Sequence, residues 1–435
     1  MSITIFLLFL LVSPSFSAFV APIIKHHVQT TPYYTLKVHL KTPLQPTDLL
    51  LHIGATFTTV DCTRNYTSTT SRPVPCNSPL CRSLQSNKSS TTNCDIPTRN
   101  AVVVPAADSG GGCVVLPHNE LALFDSLALH TTNGSNTGQL IVFPEFVLIC
   151  SDKSSRLLQG HAKKEVNGLA GLGFSKYSLP AQVSTSSSVF AVCLSGSPSA
   201  PGVAFFDLVK PYDFLPGIDV SYHLNYTPLF SHSVPSTTQK GNTKQPEDAY
   251  FIKVKSININ SKPLNINQKL LSIDKNGFGG TRISTTNPYT VLEASIFNTF
   301  IEAFTNESKS MNLKLSTPAK PFSLCYEADK LLETDVGPKV PQLDLLMDND
   351  VIWHVFGKNS MVRIVEEDMD VWCLAVVDGG DRSVTSMVIG GHQLEDNLLQ
   401  FDLGKKRLGF SSSLLQHKTM CANFNFGTNT TIKTV

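Results

Sequence analysis

Two short stretches constrain this chain more than anything in its composition. LLLHIGATFTTV (Leu49–Val60) and TRISTTNPYTVL (Thr281–Leu292) each run from an apolar segment into a small polar loop and out into a second apolar segment. His52 sits at the tip of the first and Ser284 at the tip of the second. Each tip is answered later by an apolar segment ending in glycine: Gly171 of NGLAGLG, 119 positions after His52, and Gly390 of MVIGGHQLED, 106 positions after Ser284. Such self-similarity marks a duplicated unit. It predicts two halves, each aiming one polar side chain from the end of a buried strand, with one site between them.

The rest of the pattern fits that division. At 435 residues the chain exceeds one ordinary core. The stretch 231–248, rich in Ser, Thr, Gln, Lys and Pro, reads as a connector between an N-terminal half (18–230) and a C-terminal half (249–435). Tyr250 to Ile259 alternates apolar and polar as a strand does. Val351–Val365 does so around a Gly357-Lys358-Asn359 turn, with Trp353, Val355 and Ile364 as inward candidates. One helix is expected over Ala294–Ser308, with Ile296, Phe297, Phe300, Ile301 and Phe304 on one face, and short ones near Leu179–Val183 and Leu394–Leu399. Many short strands and few helices predict a mostly-β architecture.

Charged residues make up 16% of the chain with a net of +1, which excludes a nucleic-acid partner dependent on a basic surface. The N-terminus has an apolar core from Ile5 to Val12 and a Ser15-x-Ser17 pattern, predicting a signal peptide over residues 1–17 with cleavage before Ala18. Eight apolar residues are too few for a membrane span, which needs about twenty. Leu140–Cys150 is interrupted by Pro144 and Glu145, so no membrane association is expected. Ten cysteines suit disulfides in an oxidising compartment. Six Asn-x-Ser/Thr sequons, at Asn65, Asn87, Asn133, Asn225, Asn306 and Asn429, fit glycosylation along a secretory route. No metal or cofactor is expected: the twelve His are scattered, paired CxxC and HExxH motifs are absent, and His26-His27 reads as a solvated start of the mature chain.

The paired loops resemble those of the pepsin-like aspartic proteases over essentially the whole mature chain. That resemblance implies a mostly-β, bilobal fold with a few short helices. His52-Ile53-Gly54 and Ser284-Thr285-Thr286 fall where that family places its two Asp-Thr-Gly tripeptides. Aspartic proteolysis needs two carboxyls sharing one proton across a water, one acting as base and the other as acid. Neither His52 nor Ser284 can take such a part, so the chain is expected not to be an enzyme. Asp108-Ser109-Gly110 follows PAA and precedes a Gly-rich run, which marks a surface turn; Asp378-Gly379-Gly380 reads as a hairpin turn. A His52/Ser284 base–nucleophile pair is the remaining catalytic possibility, with a plain hydrogen bond as the alternative.

A narrower resemblance rests on Asp61-Cys62, Cys76, Cys81, Gly168–Gly173, ISTTNPYTVLEASIF, VIGGHQLEDN and CANFNF. Together they are similar to the plant xylanase inhibitor, extracellular dermal glycoprotein and basic 7S globulin group. This implies a secreted, glycosylated pseudo-protease of the apoplast or cell wall that inhibits a microbial or wall-modifying glycoside hydrolase, a protein partner, in plant defence. A storage or peptide-binding role and a divergent peptidase are the alternatives. Inhibitors of the group insert a loop cation between a hydrolase's catalytic carboxylates. The implied surface here includes Lys418, with His417, Arg407, Lys405 and Lys406 as further candidates, while Asp335 stands where relatives carry a second Arg. The resemblance also implies Cys62–Cys150, Cys193–Cys421 and Cys325–Cys373. It leaves the pairing of Cys76, Cys81, Cys94 and Cys113 open.

Overall fold

The computed structural model describes residues 18–28, 31–62, 66–84, 112–115, 120–151, 166–233 and 248–428. The duplication is explicit in its strands. In the first half β1 (Gln45–His52) runs parallel to β4 (Gly168–Gly171), which is antiparallel to β2 (Thr59–Asp61), itself parallel to β3 (Asn136–Ser151). In the second, β5 (Thr281–Ile283) runs parallel to β8 (Met387–Ile389), which is antiparallel to β6 (Thr290–Leu292), itself parallel to β7 (Val376–Asp378). The two four-strand motifs match strand for strand.

The glycines at the ends of β4 and β8 fit the same scheme. A Cβ at Gly171 would lie 2.1 Å from the Phe57 carbonyl oxygen, and one at Gly390 would lie 2.2 Å from that of Tyr289. Phe57 and Tyr289 each stand five residues beyond their loop tip. Only glycine lets the returning loop backbone approach so closely.

A shared sheet joins the halves. Its strands run in the order Gly202–Phe206, Val189–Cys193, Leu398–Asp402, Arg407–Phe410, Asn225–Ser233, Asp248–Ile252, all antiparallel. Phe190 stacks on Phe401 across it with ring centroids 4.6 Å apart. One apolar cluster continues through both halves, from Leu36 and Leu51 to Ile389 and Phe410. Two further four-stranded sheets and α2 (Ala294–Ser310) lie in the second half, and the short α1 (Leu179–Val183) lies in the first. Ile296, Phe297, Phe300 and Phe304 of α2 are buried, each side chain contributing about 1.5–3 kcal/mol through removal from water. Glu293 caps the helix by accepting the N–H groups of Ser295 and Ile296.

Buried polar contacts also cross between the halves. Lys25 and Tyr34, on strands Ala18–Val28 and Thr31–Leu40, both reach the Glu395 carboxylate, at 2.7 and 2.5 Å. Glu395 is 1% exposed. Disulfides join Cys62 to Cys150, Cys193 to Cys421, Cys325 to Cys373 and Cys81 to Cys113. The first three are the pairs the resemblance implies, and the fourth answers part of the pairing left open. Cys76 is also disulfide-bonded, and Cys94 lies outside the described residues.

Several local expectations need correction. No helix spans Leu394–Leu399: a 3-10 turn over Gly391–Leu394 leads into the strand Leu398–Asp402. Leu398 and Leu399 are both buried, as in a central strand covered on two faces. Tyr250–Ile259 is two strands, Asp248–Ile252 and Val254–Ile259, in different sheets, with exposed Lys253 at the break. His26 and His27 are paired strand residues rather than a loose start of the chain: His26 stacks on Tyr33 and hydrogen-bonds Thr35, while His27 is exposed as expected. Asp378 does end a strand and accepts the Gly380 N–H, but β7 and β8 flank β6 on opposite sides, so the connection crosses over and is no hairpin. Ser231–Ser233 and Asp248, at the ends of the expected connector, are paired strand residues, while 234–247 lie outside the described residues.

Candidate functional site

Strands β1 and β5 deliver the two loop tips to each other. Thr285, next to Ser284, donates its hydroxyl to the Leu51 carbonyl at 2.7 Å and accepts the Ile53 N–H at 3.4 Å. His52 lies between those two residues. The contact is one-sided, because Ile53 stands where a hydroxyl would be needed to reciprocate. His52 and Ser284 are 8% and 5% exposed.

Both tip side chains are committed to their own loops. The Gly54 N–H donates to His52 Nδ1 at 3.0 Å, which places the ring proton on Nε2. The ring therefore presents a donor, where a general base would need a lone pair. Ser284 Oγ donates to Asn287 Oδ1 at 2.9 Å and accepts the N–H groups of Thr286 and Asn287 at 3.3 and 3.2 Å. A hydroxyl whose proton is held by an amide oxygen is not an activated nucleophile. Neither tip carries a carboxyl, so the shared-proton chemistry of an aspartic dyad has no groups to run on. Among the described residues no cluster of three or more His, Cys, Asp or Glu is arranged to hold a metal ion.

The cationic candidates separate into two kinds. Arg407 is held: its Nε donates to Asp402 at 3.0 Å and its guanidinium lies 3.9 Å from the centre of the Tyr226 ring. Lys405 Nζ stands 3.9 Å from the same carboxylate. Lys406 and Lys418 adopt left-handed backbone, φ 51° and 55°, and are exposed. Among the described residues no carboxylate pairs with either. Lys418 closes the 3-10 turn Leu414–His417, and the 3-10 turn Cys421–Asn423 beyond it is anchored by Cys193–Cys421 and by Asp396, which accepts the Cys421 N–H at 3.0 Å. The His417 ring stacks on His223 with centroids 3.7 Å apart. Burial, reinforced by the facing His223, holds the His417 imidazole below its usual range.

Sequence reasoning missed the Thr285 bridge, Asn287 as the partner of Ser284, and His223 with Tyr222 beside His417. Tyr222 is 80% exposed. Asn287 was detectable as the one amide in the second loop, whereas nothing in the sequence links residue 223 to residue 417. Asp335 lies exposed in the turn between strands Glu333–Thr334 and Gly337–Pro338. Of the six sequons, Asn133, Asn225 and Asn306 are exposed, and Asn65, Asn87 and Asn429 lie outside the described residues. Asp108 and residues 1–17 also lie outside them. No helix among the described residues is long and apolar enough to cross a membrane.

Comparison with known proteins agrees with this geometry. Residues 34–206 match the family model described as xylanase inhibitor N-terminal, and residues 249–412 match xylanase inhibitor C-terminal. A Glycine max protein named probable aspartic proteinase GIP1 is 45% identical over 96% of this chain and 94% of its own length. Gamma conglutin 1 of Prunus dulcis is 39% identical over 93% of this chain and 89% of its own. The crystal structure of edgp superposes with a TM-score of 0.82 at 41% identity, covering 95% of this chain and all of that one. Soybean basic 7S globulin gives 0.73 at 27% identity, over 94% and 98%. The fold is thus the mostly-β, bilobal pepsin-like one.

Proposed function

The chain belongs to the xylanase-inhibitor family, and from that premise we propose that it is a secreted, catalytically inactive pepsin-like protein that binds and inhibits a glycoside hydrolase of the xylanase or endoglucanase class. The observation that carries this is the state of the two tips: His52 and Ser284 replace the carboxyls, and each is hydrogen-bonded into its own loop. A site so closed has no use for a substrate peptide. Function then falls to the outer surface, where Lys418 stands between two 3-10 turns, the second held by Cys193–Cys421, without a counter-ion among the described residues. The partner would be a protein whose cleft carries two carboxylates, matching one inserted cation. A Lys ammonium is a point charge without the bidentate fork of Arg, and exposed Asp335 opposes an acidic cleft, so the target is one that tolerates both. Secretion into the apoplast or cell wall, a role in defence, and a division into lobes at 18–230 and 249–435 belong to the same proposal.

The test is a panel of purified fungal xylanases and xyloglucan-active endoglucanases assayed near pH 5 with stoichiometric protein. A protein substrate incubated from pH 2 to 7, with and without pepstatin, runs in parallel. Loss of activity in at least one hydrolase and no proteolysis is the expected result. Pepstatin-sensitive cleavage would overturn the proposal in favour of the peptidase that one relative's name carries. Silence in both assays would favour a storage or peptide-binding role.

A further inference from the structure

A second cationic cluster lies far from Lys418 in sequence and is built into the first half. Along the strand Thr31–Leu40, Leu36, Val38 and Leu40 face the core, so Lys37 and His39 share the opposite face. The register pairs His39 with Ala128 and His130 with Val20, which brings both imidazoles to one spot, edge to face with centroids 5.8 Å apart. Together with Lys37 they line a cavity of about 170 Å³ whose walls are Val20, Pro22, Ala128, Leu129 and Phe426, with Thr137 at one side. That is room for about six water-sized volumes at about 30 Å³ each.

No Asp or Glu lines this cavity, and no carboxylate pairs with Lys37, His39 or His130 among the described residues. Five strands surround it: Lys37 and His39 come from one, His130 from a second, while the lining residues of the other three are Val20, Pro22, Thr137 and Phe426. Burial, then His130, then Lys37 hold the His39 imidazole below its usual range. His130 Nδ1 bonds the Gly138 carbonyl at 3.1 Å; a carbonyl only accepts, so Nδ1 carries the proton and Nε2 takes up the next one. Three cation-forming groups thus converge on a half-buried, mostly apolar cavity with no counter-charge.

We propose that this cavity is a binding site for a small carboxylate carried on a compact apolar body. The anion supplies the missing counter-charge, and the apolar walls, Phe426 included, take the body. Binding draws protons onto the imidazoles, so affinity rises as pH falls, by up to about tenfold per pH unit for each proton taken up.

The experiment titrates the full mature chain by calorimetry with benzoate, neutral benzamide and inorganic phosphate at pH 7.5, 6.5 and 5.5. Benzoate is expected to bind at least tenfold more tightly at pH 5.5 than at 7.5, with benzamide and phosphate at least tenfold weaker than benzoate. Lys37→Met should weaken benzoate at every pH and keep the slope, whereas His39→Gln or His130→Gln should flatten it. Proton NMR on the unsubstituted chain gives a second readout, with saturating benzoate moving two histidine titrations to higher pH. Equal binding of benzamide, stronger binding of phosphate, or a pH-independent benzoate affinity would each overturn the proposal, as would unmoved histidine titrations.

Discussion

Thr285 bonds the Leu51 carbonyl across the duplication at 2.7 Å, and the reciprocal bond is missing because residue 53 is isoleucine. One hydroxyl therefore does alone what symmetry would assign to two. Thr285→Val should leave the buried Leu51 carbonyl without this donor and cost about 1–3 kcal/mol. Urea unfolding followed by tryptophan fluorescence checks this, and an unchanged midpoint would show that the bridge does not hold the loops.

The Lys25–Glu395 pair is a sharper test of how the halves are locked. Both groups are buried, and Tyr34 shares the same carboxylate oxygen. Glu395→Gln strands the Lys25 charge and should cost about 3–5 kcal/mol, while adding Lys25→Met should recover most of that loss. Additive single and double losses in thermal melts would refute the coupling.

Stability should also carry a signature of Asp396. Burial, with a smaller push from Glu395, raises its carboxyl from the ordinary 3.8 to about 6, even though the Cys421 N–H donates to it. The folded chain keeps this proton at a pH where the unfolded chain has lost it. This group's contribution is therefore fully present below about pH 4 and lost as pH rises through about 6. Buried His392, held below its usual range chiefly by burial, acts the other way, its contribution shrinking as pH falls below the ordinary 6.5. Comparing Asp396→Asn with the unsubstituted chain isolates the carboxyl: from pH 4 to 7 the difference should move in the variant's favour by on the order of 3 kcal/mol. A difference that does not change with pH would contradict it.

On the outer surface, Lys418→Arg should tighten hydrolase inhibition by giving the cleft carboxylates a two-pronged donor, and Asp335→Ala should tighten it by removing a like charge. Lys406→Ala should change inhibition less than Lys418→Ala, since no disulfide anchors its turn as Cys193–Cys421 anchors the segment of Lys418. Inhibition constants against one sensitive enzyme decide among these outcomes.

Much of this was legible in the sequence because the decisive signals are local. The tips His52 and Ser284 and the answering Gly171 and Gly390 stand out as short motifs, and the four matched strands follow from them. Helices with a clear apolar stripe or a Ser-Leu-Pro start, α2 and α1, also read correctly. The 398–402 segment misled because adjacent buried leucines suit a helix or a two-faced central strand equally, and only its pairing with Val189–Cys193 decides. The partners of the tips were hidden for another reason. Thr285 to Leu51 and His223 to His417 are contacts across long sequence separations, which no periodicity encodes.

The most direct measurement titrates one susceptible fungal endoglucanase or xylanase with the unsubstituted protein, with His52→Ala and with Lys418→Glu, reading residual hydrolase activity near pH 5. Inhibition should be stoichiometric, unchanged in His52→Ala and at least tenfold weaker in Lys418→Glu. Inhibition lost on His52→Ala but intact in Lys418→Glu would contradict it, returning the function to the cleft between the halves.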